Sequence, residues 1–301
     1  MLNNLWSTIR QLFGLEGSWE IMTLSRVGID PTSARELTRV LQPAHTIRLR
    51  PEPAIRNSSP QPELVWHGIT DTGLVRAHNE DTLMLSKLGN DAFFVVADGM
   101  GGHDAGEVAS SIAAETVLHA IQEGRARNED PKVLVRSAVE AANMVVRGEA
   151  MHRKSNMGTT LTAALVRERT AYIASVGDSR AYWIADSAIM QITKDHSLVA
   201  KLVELGKLTK EEARTDPRAN LLTRTIGSEA SVEVDTWQVS LSPGGTLLLC
   251  TDGLWGEVED EDIRRVCLEE QHTEVACARL VQLANANGGR DNISAIAIRV
   301  A

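Results

Sequence analysis

Four aspartates stand where apolar runs stop. Asp98 ends "FFVVAD", Asp178 ends "IASVGD", Asp252 ends "TLLLCTD", and Asp291 begins a last run in "GGRDNISAIAI"; each has a glycine within two residues. One aspartate beside glycine is most simply a turn. The stretch "FFVVADGMGGHDAG", with four glycines in the eight residues after Asp98, reads equally well as a strand-to-helix turn or as a site where Asp98 and a main-chain oxygen meet a ligand. Taken together the four point further. If the strands converge, their carboxylates share one edge, where each pair about 5 Å apart at an effective dielectric near 20 repels by about 3 kcal/mol. A cation must sit among them, and an all-oxygen set, with a glycine carbonyl added, suits magnesium or manganese better than zinc. The segment "TDTGLVRAHNED" adds Arg76 among acidic residues. Alone, Arg76 is an ordinary surface arginine; beside a metal cluster its planar fork suits two oxygens of a phosphoryl group.

The elements that must hold these residues can be read from periodicity. "ELVWHGITD", "DTLMLS" and "AFFVVAD" read as strands. The period then changes, and Ala109, Ile112, Ala113, Val117, Ala120 and Ile121 fall on one face of a helix. A second helix, from about Pro131 to Met151, carries a stripe through Leu134, Ala138, Ala141 and Val145. "GTTLTAALVRE", "TAYIASVGD", "AYWIAD" and "IMQIT" return to strands with hairpin-like gaps. A polar stretch from about Asp195 to Gly227 shows two short helical patterns and no strand, as a mobile surface element would. "VEVDTWQVSL" and "GTLLLCTDGLW", two helical segments and a final strand complete the chain. This order predicts an α+β fold of two antiparallel sheets with helices packed outside.

Composition narrows the function classes. The 301 residues are 43% hydrophobic and 24% charged, with a formal net charge of -9. That charge argues against general affinity for nucleic acid or an anionic membrane surface. No apolar run is long enough to cross a bilayer, and "MLNNLWSTIRQLFGLEG" lacks the pattern of a secretory signal, so the expected location is cytoplasmic. Cys250, Cys267 and Cys277 have no paired spacing and read as buried apolar residues in a reducing compartment. The first sixty residues hold five of the nine prolines, and seven arginines against five acidic residues. Residues 1–62 therefore read as an extension, with "NLWSTIRQLFGL" either a docking amphipathic helix or disordered and "LRPEPAIRNSSPQPE" an extended linker. Residues 63–301 form the main domain.

The ordered motifs "TDTGLVRAHNED", "VVADGMGGHDAGEVAS", "GTTLTAALV", "ASVGDSRAYWI", "ITKDHSLV", "LTRTIGS", "LLLCTDGLW" and "GGRDNISAIAI" resemble the metal-dependent serine/threonine protein phosphatases of type 2C, in their bacterial form. The resemblance covers about residues 64 to 301. It implies a four-layer sandwich, two antiparallel β-sheets flanked by pairs of α-helices, with two Mn2+ or Mg2+ ions at one end. Asp98 would bridge the ions, the Gly99 carbonyl would bind one, and Asp252 and Asp291 would hold the other. Asp178, with Asp252, matches a weaker third metal site. Arg76 would bind the substrate phosphate, Glu80 would hydrogen-bond metal-bound water, and Asp81 would support that network or Arg76. The segment from about Asp195 to Gly227 corresponds to the family's flap.

The reaction so implied is hydrolysis of phosphoserine and phosphothreonine by direct attack of a metal-bridged water, without a covalent enzyme intermediate. Partners would be phosphorylated proteins, among them a serine/threonine kinase or its targets, and the chain would act as a monomer. Met100 departs from the eukaryotic pattern, which often has a histidine two residues after the bridging aspartate. His103 stands nearby but is not assigned the role. Two other readings are a catalytically silent binding module, which the complete ligand set disfavours, and a metal phosphodiesterase or nuclease, which the acidic chain disfavours. Because residues 1–62 build no core of their own, a chain beginning near Gln61 is expected to stay soluble and hydrolyse a small aryl phosphate. Unfolding of that truncation, seen by circular dichroism, would move the boundary into the extension.

Overall fold

The computed structural model describes residues 64–101 and 105–301, so the extension at 1–62 and His103 lie outside the described residues. The chain opens with β1 (Leu64–Asp71), β2 (Asp81–Leu88) and β3 (Asp91–Met100), followed by two long helices, α1 (Ala105–Ala126) and α2 (Pro131–Arg153). Five strands come next: β4 (Gly158–Thr159), β5 (Leu161–Arg167), β6 (Thr170–Val176), β7 (Arg180–Ala185) and β8 (Ala188–Gln191). Short helices α3 (Leu198–Glu204) and α4 (Lys210–Thr215) occupy the flap segment. Then come β9 (Asp235–Ser240), β10 (Thr246–Cys250), α5 (Asp252–Trp255), α6 (Asp260–Glu269), α7 (Thr273–Ala286) and β11 (Ile293–Val300).

One sheet runs β1-β11-β10-β7-β8 and the other β2-β3-β5-β6-β9, with β4 added to β3. All these pairings are antiparallel. Alternation along β3 explains the layering: Phe93 and Val95 face a core shared with α1 and α2, while Phe94 and Val96 face the other sheet. Between the sheets they meet Ile173, Leu247, Leu249 and Ile298. A third apolar layer joins the β1–β11 sheet to α6 and α7 through Leu248, Ile263, Val266 and Leu280. The result is the expected α+β sandwich of four layers.

Local chemistry sets the helix limits. Asp130 caps α2 by accepting from the Lys132 and Val133 amides, each at 3.0 Å, with Pro131 in the first turn, where its missing donor costs nothing. The buried stripe of α2 runs Leu134, Ala138, Ala142 and Val146, so Ala142 and Val146 replace the Ala141 and Val145 expected from sequence. A stripe advancing four residues at a time is the ridge that packs into a neighbouring helix, here α1. In the flap, Ser197 caps α3 and Thr209 with Glu212 forms a capping box on α4, which stabilises helices too short to persist alone.

The three cysteines are buried and unpaired, and burial pushes the Cys267 thiol up to about 12 and the Cys277 thiol up to about 11. They are packing residues, as the sequence suggested. Among the described residues no helix is long and apolar enough to cross a membrane. Phe94 is fully buried and meets Trp66 edge to face, ring centroids 5.4 Å apart. Phe94→Ala is therefore expected to cost about 3 to 5 kcal/mol, whereas Val133→Ala on the exposed side of α2 is expected to cost under about 1 kcal/mol. Urea denaturation of the two variants checks this ordering.

Candidate active site

Sheet register brings the first two acids together: Asp81 on β2 lies directly opposite Asp98 on β3. The Asp98 main chain is fully engaged, its N–H donating to Thr160 Oγ1 at 3.0 Å and its carbonyl accepting from the Thr160 amide at 2.9 Å and Thr159 Oγ1 at 2.8 Å. One residue on, the Gly99 amide donates to the Glu80 carbonyl at 3.1 Å. The start of α1 crosses here so closely that a Cβ on Gly99 would stand 2.1 Å from the Gly106 carbonyl oxygen and 2.6 Å from that of Glu80. Backbone atoms cannot yield by that much. Glycine is required here by close approach.

The second sheet supplies the other acids. Asp252 is the first residue of α5 and Asp291 lies two residues before β11, so both sit just beyond their strands. Asp178 sits in the turn between β6 and β7 and is buried. The sheets are latched across the gap: Asp81 Oδ2 accepts from Thr251 Oγ1 at 2.8 Å and from Ser294 Oγ at 2.7 Å. Asp81 thus reaches the strand ends of the opposite sheet, while Arg76 takes a different partner, Asp291, at 2.7 Å.

Asn292 organises the loop that bears Arg76 and Glu80. Its side-chain oxygen accepts from the Glu80 amide at 2.8 Å, and its side-chain nitrogen donates to the Thr72 and His78 carbonyls at 3.0 and 2.9 Å. Gly73 makes the tight approach possible: with φ of +76°, it passes where a Cβ would be 2.2 Å from the Asp291 carbonyl oxygen. Thr251, Asn292 and Ser294 were not singled out from sequence. Their signal was present only as short polar residues flanking the aspartates.

Electrostatics mark the place. Withdrawal from water, and then Asp252, Asp81 and Asp178, hold the Asp98 carboxyl well above the usual range. Burial, followed by Asp252 and Asp195, does the same to Asp178. Burial and the nearby Asp291 push Asp252 up to about 6, with the Arg76 charge opposing. Asp81 is pushed up to about 8 by burial, although its Ser294 and Thr251 hydrogen bonds oppose the shift. Burial also raises Glu80, with Arg76 opposing.

Among the described residues no group of three or more His, Cys, Asp or Glu side chains is gathered closely enough to hold an ion; Asp291 pairs with Arg76 and accepts from the Asn292 amide. The donor set nevertheless fits hard divalent cations. It is all carboxylate and carbonyl oxygen, and Asp252 Oδ1 is buried without a hydrogen-bond partner, the kind of orphan a cation satisfies. Arg76, Asp178, Asp252 and Asp291 line a cleft of about 640 Å³ together with Val199 and Ala213 of the flap.

Comparison with known proteins agrees with this architecture. The family model described as Protein phosphatase 2C matches residues 75–294. The serine/threonine phosphatase stp of Listeria monocytogenes is 37% identical over 234 residues, which span 76% of this chain and 93% of that protein. The crystal structure of serine/threonine phosphatase Stp1 from Staphylococcus aureus has a TM-score of 0.74 at 35% identity, covering 82% of this chain and 98% of that one. The catalytic domain of the serine/threonine protein phosphatase PstP, solved in complex with two manganese ions, has a TM-score of 0.69 at 34% identity over 79% of this chain and 98% of that one. With its two-sheet sandwich and a family match over most of its length, the chain belongs to the protein phosphatase 2C family.

Proposed function

We propose that the cleft is where this metal-dependent protein phosphatase hydrolyses phosphoserine and phosphothreonine in proteins. The observation that carries the reading is the meeting of Asp178, Asp252 and Asp291 with Arg76 in one cleft, with Asp98 near enough for its charge and that of Asp252 to act on each other. Asp98, the Gly99 carbonyl, Asp252 and Asp291 are the proposed ligands of two cations, manganese or magnesium, and Asp178 with Asp252 those of a weaker third. When bound, such ions make water a better nucleophile near neutral pH and offset charge on the phosphoryl oxygens.

The chain's own groups supply the rest. Arg76 is half exposed, so its guanidinium can turn from Asp291 to the phosphoryl oxygens and hold them by two parallel hydrogen bonds. Glu80, whose carboxyl is raised by burial, can accept a proton from the attacking water. Asp81 acts at one remove, by fixing the two sheets so that the acids keep their spacing. Met100 stands where some relatives carry a histidine, and in this reading solvent protonates the leaving oxygen.

The substrates proposed are phosphorylated proteins, including a serine/threonine kinase or its targets. The chain is proposed to act in the cytoplasm as a monomer; no helix of the described residues is long and apolar enough to cross a membrane. Residues 63–301 are proposed as the catalytic domain and 1–62 as an extension to it.

Activity on a phosphothreonine peptide is expected to vanish with chelator and return with Mn2+ or Mg2+. Asp252→Asn should weaken Mn2+ binding and turnover together. Arg76→Ala should leave Mn2+ binding nearly intact while lowering kcat/KM by about 2 to 4 kcal/mol in transition-state terms. Calorimetry and steady-state kinetics on both variants decide it, and Mn2+ binding lost in Arg76→Ala but kept in Asp252→Asn would reverse the assignment.

Protons and cations compete for these carboxylates. Asp252 titrates at about 6, and Asp98 and Asp178 are also raised. Their folded values exceed those of the unfolded chain, so the stability that proton binding lends is present below about pH 4 and fades as pH climbs through the folded values. Cation binding must therefore strengthen over the same rise. The increase in melting temperature given by saturating Mn2+ should be larger at pH 7.5 than at pH 5.5. Equal increments would remove these acids from the metal site.

A further inference from the structure

Arg180 follows the Asp178 turn as the first residue of β7, and its side chain is only 13% exposed, low for an arginine. Every part of the guanidinium is engaged. Nε donates to Asp195 Oδ1 and Oδ2 at 3.0 and 3.2 Å, and Nη2 donates to Oδ2 at 2.7 Å. Nη1 donates to the Tyr182 hydroxyl at 2.7 Å, which donates on to Asp260 Oδ1 at 3.0 Å. Arg180 Cζ also stands 3.6 Å from the centre of the Trp255 ring, a cation–π stack. The indole closes the chain of contacts, since its Nε1–H donates to the main-chain oxygen of Asp178 at 3.0 Å.

These contacts join two parts of the site that the sheets leave independent. Asp195 begins the flap, and Gln191 holds it from the other side at 2.8 Å. Farther along the flap, Arg214 on α4 reaches the Gly256 carbonyl at 3.4 Å and Glu259 at 3.2 Å, next to Trp255. The flap is thus tied at its root and at its second helix to the segment that starts with Asp252. Arg180 and Trp255 both line the cleft.

We propose that Arg180 is a positioning residue which, through Asp195 and Trp255, fixes the flap relative to Asp178 and so fits the cleft to the polypeptide around a phosphorylated side chain. The inference rests on the phosphatase reading and concerns the same cleft. A small aryl phosphate engages only the acidic end and does not need the flap in register; a peptide reaches both. Lysine at position 180 keeps a charge for Asp195 but loses the flat stacking face and the fork of donors. Phenylalanine at position 255 keeps an aromatic face for Arg180 but loses the hydrogen bond to the Asp178 carbonyl.

The test uses the full chain with Mn2+, a phosphothreonine peptide and p-nitrophenyl phosphate. In Arg180→Lys the peptide KM should rise about tenfold while kcat/KM for the aryl phosphate stays within about twofold. Trp255→Phe should shift the same ratio in the same direction and raise the Mn2+ concentration needed for half activation severalfold, because the Asp178 turn is loosened. Equal losses on both substrates, or an unchanged peptide KM in both variants, would overturn the proposal. If Arg180→Lys does not fold, Trp255→Phe carries the comparison, and the absence of a split between substrates there overturns it too. A wild-type chain inactive on both substrates would overturn the phosphatase reading, and this inference with it.

Discussion

Mutual repulsion among carboxylates that cannot move apart is the constraint on which this structure turns. Asp81, Asp98, Asp178 and Asp252 all sit where burial raises their proton affinity, and their neighbours' charges raise it further. A fold that sets them at the ends of well-packed strands has no inexpensive way to separate them. Protons or divalent cations can offset that charge, which is the physical basis of the metal dependence proposed for the site.

The packing supplies the rigidity that this arrangement demands. Three apolar layers fix the sheets and helix pairs, but apolar contact is non-directional and does not set strand ends to a fraction of an ångström. Polar latches do that. Asp81 holds Thr251 and Ser294 across the gap between the sheets, and Asn292 pins the loop bearing Arg76 and Glu80 to the start of β11. Close backbone passage at Gly99 and Gly73 completes the fit, because any side chain at either place would collide with main-chain oxygens.

The proposed reading separates chemistry, at the acids, from recognition, at the flap. The acids are built on strand ends, while the flap is two short capped helices closed on itself by the Ser197–Leu222 bridge and joined to the body by that of Thr159 with Ile226. Such an element has little core of its own and takes its position from polar contacts at its base. Arg180 is placed to be the strongest of these, since a covered, doubly bonded and stacked guanidinium resists displacement far more than an exposed ion pair.

The sequence by itself determined the order and kind of the elements. Alternating and helical periods are local properties of the chain, and they were legible in "AFFVVAD" and in the Ala109 to Ile121 stripe alike. It also determined which acids were candidates, because an aspartate closing an apolar run beside glycine is visible without coordinates. The choice of Ala142 and Val146 over Ala141 and Val145 was not legible, since it depends on which neighbouring helix the ridge meets. Nor was the division of partners, in which Asp81 takes the opposite sheet and Arg76 takes Asp291. Residues 215 positions apart become neighbours only through strand register and sheet stacking, and no local pattern encodes that. Arg180 shows the same limit: in "VGDSR" it is one more arginine, and only the folded chain lays it on Trp255 and against Asp195.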